Sequence, residues 1–404
     1  MTEAIFTPEQ LAEVKAYHLP HYIWAACGDV FRFALLFVTL RYLIRPLYRA
    51  AEKSASWLEL RLGGARKLPV VRAIPAALDK LWGERGWGVA LLFAIYDLLL
   101  GALLMLPLNI YFGYVLEHRH GLSNYSPGAF AWDSGKEIFL DAIPTAALAF
   151  GLYGLARRMK RWWLVLGVTA GIAMFAAAAI DPYRNQVYFD QTPLPAGPVR
   201  DRVTAVMNQA NVPFRDVVVE KQSRATTKVQ AYFAGQGPTR TIVMNDSLLE
   251  KLTPDEIAAA VAHEAGHVQE NKWPGRVASF FAIIAVLYLV HRLILWSTKR
   301  KFWGIERYGD IRTLPLVSAV VFMAISYSAP IAGYFSRERE LAADRFAVEL
   351  TKAPDAFEAM LIKAARANKM DPDPPKWVVW RGWSHPTVTD RIAQVESMKA
   401  AASR

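Results

Sequence analysis

Residues 263–267 read His-Glu-Ala-Gly-His, and the spacing of those five residue types points to metal-assisted chemistry. Two histidines four apart lie one turn from each other on the same helix face, where both rings can reach one ion. Neutral imidazole is a good ligand for a borderline-soft dication such as zinc. Glu264, beside the first histidine, is placed to hold and deprotonate a water on that metal. The same pattern arises by chance on an ordinary helix with two surface histidines, so its setting decides. Thr253-Pro254-Asp255-Glu256 is a helix start, with Thr253 as cap, Pro254 at the first helical position and Glu256 closing a capping box. Ile257, Ala260, Val261, Glu264 and His267 follow at helical spacing, which sets the motif well inside that helix on its buried side.

Two histidines do not complete a catalytic zinc site, which needs a third protein ligand and an open position for water. The stretch from Ser336 to Ala347, SRERELAADRFA, offers Glu340 and Asp344 as carboxylates four apart on one helix face. Glu340 can supply the third ligand. Asp344 can accept a hydrogen bond from the far nitrogen of a ligand histidine and so fix its tautomer. Glu338 competes for the ligand role. Arg337, Arg339 and Arg345 surround these acids, so a solvated ion-pair helix is the alternative reading.

The elements that position these residues are mostly apolar. Of 404 residues 53% are hydrophobic, more than an ordinary soluble enzyme carries. They gather in blocks at 23–43, 89–114, 138–156, 163–180, 277–296 and 314–335, each about the 20 residues that cross a bilayer as a helix. The fold class is therefore mainly α: a polytopic membrane protein of about six spans. The first block carries Asp29 and Arg32, so it packs against its neighbours or lines a cavity. Residues 1–22 are polar without a basic start, unlike a cleavable signal peptide. A lone cysteine, Cys27, rules out an internal disulfide scaffold and a cysteine-based zinc site.

The formal charge of +11 follows the membrane layout. Basic residues cluster in alternate loops: Arg45, Arg49, Lys53, Arg61, Arg66, Lys67, Arg72, Lys80 and Arg85; then Arg157, Arg158, Lys160 and Arg161; then Lys299, Arg300, Lys301, Arg307 and Arg312. The positive-inside rule and anionic lipid account for that asymmetry, and no nucleic-acid partner is expected.

Four parts follow: a membrane domain with four spans at 1–181, the first half of a protease domain at 182–276, two spans at 277–335, and the second half at 336–404. Residues 48–88 alternate basic and apolar side chains and suggest an interfacial amphipathic helix. In the second part, 200–210 reads as an amphipathic helix and 216–220 as a strand. A hairpin joins 229–234 to 241–244 through Gly235-Gln-Gly-Pro238. Val229, Gln230, Ala231, Tyr232 and Phe233 then form an edge strand able to bind an extended peptide by main-chain hydrogen bonds. The alternative is that a loop covers this edge.

Together these motifs resemble the integral-membrane type 1 CAAX prenyl endopeptidases and their HtpX-like relatives, which are gluzincin zinc metallopeptidases. The resemblance runs through Ser336, Arg337, Glu340 and Asp344, and through Phe189-Asp-Gln-Thr-Pro-Leu-Pro195. It also takes in Ala231-Tyr232-Phe233 with Asp246-Ser-Leu-Leu249, the loop Glu117-His-Arg-His-Gly-Leu-Ser-Asn124, and Ser384-His385-Pro386 with Arg391. It implies a gluzincin-type protease domain with a small sheet, one zinc ion per chain held by His263, His267 and Glu340, and Asp344 behind the ligands. By the same likeness His385 is the donor to the oxyanion. Arg391 has three candidate roles: positioning His385, pairing with Asp344, or gripping substrate. The implied function is a membrane zinc endopeptidase acting on peptides or membrane-associated proteins in contact with the bilayer.

The chain departs from the family in two ways. It shows six spans where eukaryotic members have seven. Its basic loops, taken as cytoplasmic, set the protease face outside, whereas the resemblance implies the cytoplasmic side. The composition is that of a bacterial inner-membrane protein, in which prenylated substrates are not expected. Two rival readings use the same residues differently. A transporter or channel would line its path with Asp29, Arg32, Asp97, Asp141 and His291. A zinc-bound scaffold would not need Glu264.

Overall fold

Thr7 starts the first helix with a reciprocal cap. Its hydroxyl accepts from the Gln10 N–H at 3.3 Å, while the Gln10 side chain accepts from the Thr7 N–H at 3.0 Å. From there α1 (Pro8–Val38) runs through a wider turn at Thr39–Leu43 into α2 (Ile44–Leu62). The structure, a computed structural model, describes residues 5–62, 86–184, 188–301, 304–305 and 307–403. Of the basic residues expected after the first span, Arg66, Lys67, Arg72, Lys80 and Arg85 lie outside the described residues, as does most of the expected amphipathic segment.

The next helix, α3 (Gly86–Ile110), continues through Tyr111–Leu116 to Arg119 and is followed by α4 (Pro127–Arg158) and α5 (Trp162–Arg184). Among the described residues, five helical runs are long and apolar enough to cross a membrane: Pro8–Leu58, Gly86–Arg119, Pro127–Arg158, Trp273–Lys299 and Ile311–Thr351. The remaining expected span, 163–180, falls on α5, where the shorter apolar stretch Trp162–Ala173 is described. Helix α5 packs closely on the helix Trp273–Lys299. A Cβ at Gly171 or Gly167 would come within 2.3 Å of Phe280 or 2.7 Å of Ile284, so the missing side chains set the spacing.

The basic loops come together at one end of this bundle. The Arg157 Nε donates to the Gly309 carbonyl at 2.9 Å, and the Arg312 guanidinium lies 5.1 Å from the Tyr48 ring. The Trp162 indole donates to the Tyr308 hydroxyl at 2.6 Å.

At the other end sits a small α+β unit. It begins with β1 (Gln191–Pro193), α6 (Pro198–Gln209), β2 (Asp216–Glu220), β3 (Ala231–Ala234) and β4 (Thr241–Asn245). Then come α7 (Asp246–Lys251) and α8 (Pro254–Gln269). The sheet order is β1-β2-β4-β3, with β2 and β4 parallel and β1 and β3 antiparallel at the edges. After α9 (Trp273–Lys299), the long α10 (Leu314–Thr351) returns from the basic end. Helices α11 (Pro354–Ala367), α12 (Lys376–Gly382) and α13 (Val388–Ala402) close the unit.

The expected strand at 229–234 is two residues shorter at its start. Asn368 takes both the Val229 N–H (2.8 Å) and its carbonyl (3.0 Å), and the Asn245 side chain accepts from the Gln230 N–H at 3.1 Å. Side chains there do the pairing that a neighbouring strand would do. The core of the unit joins Ile257, Val261 and Ala265 of α8 to Met207, Ile242, Phe357 and Val395. Ile5 and Phe6, from the extreme N-terminus, are buried in the same core.

Candidate metal centre

Helix α8 begins as its sequence requires. Thr253 and Glu256 form the reciprocal cap, and the Lys363 ammonium holds the Glu256 carboxylate at 2.8 Å. Fixing that first turn fixes the phase of the helix. His263 is buried and His267 is half-buried, both toward α10. The close crossing depends on Gly266, since a Cβ there would stand 3.0 Å from the Ala343 Cα. Helix α10 presents Glu340, Ala343 and Asp344 to this crossing as buried residues, while Glu338 is exposed on another face. Helical phase thus separates the two competing glutamates.

The His263 and His267 Nε2 atoms are 3.2 Å apart. Each is 3.3 Å from an oxygen of Glu340. Among the described residues these three form the one group of histidines, cysteines and carboxylates converging tightly enough to hold an ion. The Glu340 Oε2 is buried without a hydrogen-bond partner. Zinc bonds of about 2.0–2.1 Å in a tetrahedron separate ligand atoms by about 3.3–3.4 Å, so the spacing and the orphaned oxygen both fit that ion.

Behind the ligands the polar groups are paired. The His263 Nδ1 lies 2.7 Å from Asp344 Oδ1, and Arg391 grips both oxygens of that carboxylate at 2.6 and 2.7 Å. Of its three expected roles, pairing with Asp344 is the one in which Arg391 is found. His267 is held in the same way by a residue the sequence reading overlooked: its Nδ1 lies 2.5 Å from Glu270 Oε1. Glu270 stands three residues after His267, just past the last turn of α8. Burial works against a proton on His267, yet the Glu340 and Glu270 carboxylates outweigh it and raise the ring to about 9. In such a site a dication would compete with protons for the histidine nitrogens.

Glu264 projects beside the ligands into a cavity of about 480 Å³, whose walls include Phe233, Gly235, Arg240, His267 and Trp273. Burial pushes its carboxyl above the usual carboxylate range, while the two imidazoles oppose the shift. His385 sits on the loop between α12 and α13, with Nε2 3.5 Å from Glu340 Oε1 and Nδ1 2.9 Å from the Ser384 hydroxyl. Arg337, one turn before Glu340, anchors that loop by donating to the Trp383 carbonyl at 2.7 Å and the Val379 carbonyl at 3.3 Å.

Among the described residues, no strand neighbours the outer edge of β3. The Asn245 N–H donates to the Gln230 carbonyl at 3.0 Å, so Gln230 and Tyr232 turn their main-chain groups toward β4. By alternation Val229, Ala231 and Phe233 turn theirs outward. Asn368 occupies those of Val229, and Phe233 borders the Glu264 cavity.

Comparison with known proteins agrees with this arrangement. Residues 193–399 match the profile of peptidase family M48, and residues 2–185 match that of the CAAX prenyl protease N-terminal region, described as five membrane helices. An uncharacterized metalloprotease, YhfN, of Bacillus subtilis is 27% identical over 314 residues, covering 75% of this chain and 72% of its own. The human CAAX prenyl protease 1 homolog is 24% identical over 365 residues, covering 77% and 74%. The crystal structure of S. mikatae Ste24p superposes with a TM-score of 0.67 at 18% identity, over 96% of this chain and 99% of that one.

Proposed function

The chain belongs to peptidase family M48, and from that premise we propose how its own residues hydrolyse a peptide. It is an integral multi-pass membrane protein and a zinc metalloendopeptidase. The transporter reading is not favoured.

One zinc ion per chain would be held by His263, His267 and Glu340. When bound, it supplies a Lewis acid that polarises a carbonyl and makes water nucleophilic near neutral pH. Asp344 and Glu270 fix the tautomers, so that each imidazole turns its Nε2 lone pair to the ion. Arg391 holds Asp344. Glu264 takes the proton from the attacking water and returns it to the departing amine; a carboxyl raised by burial is the stronger base for that step. His385 donates to the carbonyl oxygen as negative charge grows on it.

The substrate lies extended along β3 and pairs with the outward groups of Ala231 and Phe233, while Val229, Gln230 and Tyr232 shape the strand. This edge selects backbone more than side chains, which suits peptides and membrane-associated proteins as substrates. The active site lies at the end of the bundle opposite the basic loops. The membrane-domain and split protease-domain boundaries at 181, 276 and 335 are kept in this reading.

The observation that carries the proposal is the triangle of 3.2 and 3.3 Å between three ligand atoms. Its test is cleavage-site mapping by mass spectrometry on prenylated and unprenylated peptides, with and without a chelator. Cleavage that stops with the chelator and returns with zinc is expected. Cleavage indifferent to the chelator contradicts the proposal.

A further inference from the structure

A cavity of about 560 Å³ between α1, α10 and α12 is used by none of the chemistry above. Its walls include Trp24, Asp29 and Arg32 of α1, Phe322 of α10, and Arg381 and Trp383 at the end of α12. Two guanidinium groups there share one carboxylate. Arg32 donates to Asp29 Oδ1 at 3.2 Å, and Arg381 donates to Asp29 Oδ2. The Tyr327 hydroxyl also donates to that carboxylate, at 3.4 Å. The Arg32 guanidinium sits 4.8 Å from the ring centres of both Trp24 and Phe322. A guanidinium carries five donors, and neither arginine donates to any other described group. His21 also lines the cavity, with a buried Nε2 that has no partner.

The charge therefore does not balance. One positive charge is left over beside aromatic walls, and the two half-buried guanidinium groups keep donors free for an anion. A carboxylate suits the planar donors of two arginines better than a spherical ion does. The location suits a substrate. Arg381 precedes His385 by four residues, which limits their separation to about 14 Å of chain. Along α10, Ala329 of the cavity wall precedes Glu340 by eleven residues, or about 16 Å. An extended peptide covers either distance in about four or five residues.

We propose that this cavity is a subsite for a carboxylate of the peptide substrate, four or five residues from the bond that is cleaved. It rests on the peptidase reading above. Arg32 and Arg381 grip the carboxylate, and Asp29 holds the two arginines apart and oriented. The carboxylate is either the peptide's own C-terminus or an acidic side chain.

The test reads binding without turnover, using the full chain with Glu264→Gln in phosphatidylcholine nanodiscs. Three dye-labelled decapeptides of alanine and serine are compared: one with a free C-terminal carboxylate, its amide, and the amide with glutamate at the fifth position from the end. At least one acidic peptide is expected to bind about tenfold tighter than the neutral amide, the gain of one charge-assisted contact; which one does so identifies the source. Arg381→Gln and Arg32→Gln should each erase that preference and leave the affinity for the neutral amide unchanged, whereas Arg381→Lys should keep most of it. Equal affinity for all three peptides, or a preference that survives Arg381→Gln, overturns the proposal. Arg381-dependent binding of phosphatidylglycerol without any peptide preference assigns the cavity to a lipid headgroup and overturns it too. Failure of the peptidase reading shows separately, as no cleavage of any peptide by the unsubstituted protein.

Discussion

Behind His263 the polar groups form a chain from the imidazole through Asp344 to Arg391, and that order sets what each substitution does. Asp344 is fully buried between His263 and Arg391. Asp344→Asn keeps the shape and removes the charge that orients the ring and satisfies the guanidinium. Zinc affinity should fall about 10–100-fold, as read by competition with a coloured chelator; an unchanged affinity contradicts the role given to Asp344. The two candidate histidine ligands were readable from their spacing, whereas the choice of Glu340 over Glu338 rested on the family resemblance. Helical phase then selected Glu340, since Glu338 falls on an exposed face. Glu270 was missed for a physical reason: it lies beyond the last turn of α8, where periodicity no longer predicts which way a side chain turns.

At the scale of elements, two contacts decide whether the site assembles. The first is the crossing of α8 and α10 at Gly266, where a Cβ would meet the Ala343 backbone at 3.0 Å. Gly266→Ala must push the helices apart and move His267 relative to Glu340. We expect a loss of about 1–3 kcal/mol in unfolding free energy together with weaker zinc retention, measured by thermal unfolding and metal analysis. A variant with unchanged stability and zinc content would show that the crossing does not set the ligand spacing. The second is the outer edge of β3. Ala231→Pro removes an outward N–H at an edge where proline is tolerated, so zinc content should hold while KM rises about tenfold. An unchanged KM would mean that the substrate does not pair there. The strand was legible as a hairpin arm, but its start was not, because Asn368 reaches it from 139 residues away.

On the scale of the whole molecule, the extreme N-terminus belongs to the same core as the HEAGH helix. Ile5 and Phe6 are buried in that core, and the Arg366 Nε donates to the Ile5 carbonyl at 2.6 Å. Phe6→Ala should cost about 3–5 kcal/mol of stability in that unit, seen as a lower unfolding temperature; an unaltered transition would place Phe6 outside the cooperative core. Residues 1–22 read as polar and unlike a cleavable signal peptide, and nothing in their pattern announced two core residues, since a pair of apolar side chains has no period. The membrane blocks were legible because length and hydropathy alone define them, whereas the meeting of the basic loops depends on how the helices pack. The central claim joins all three scales: a membrane protein whose buried ligand set hydrolyses peptides through Glu264. Its most direct measurement takes metal content and peptide turnover on the same preparation of Glu264→Gln. About one zinc per chain is expected, with turnover reduced at least about a thousandfold. Full turnover with zinc retained would contradict the claim.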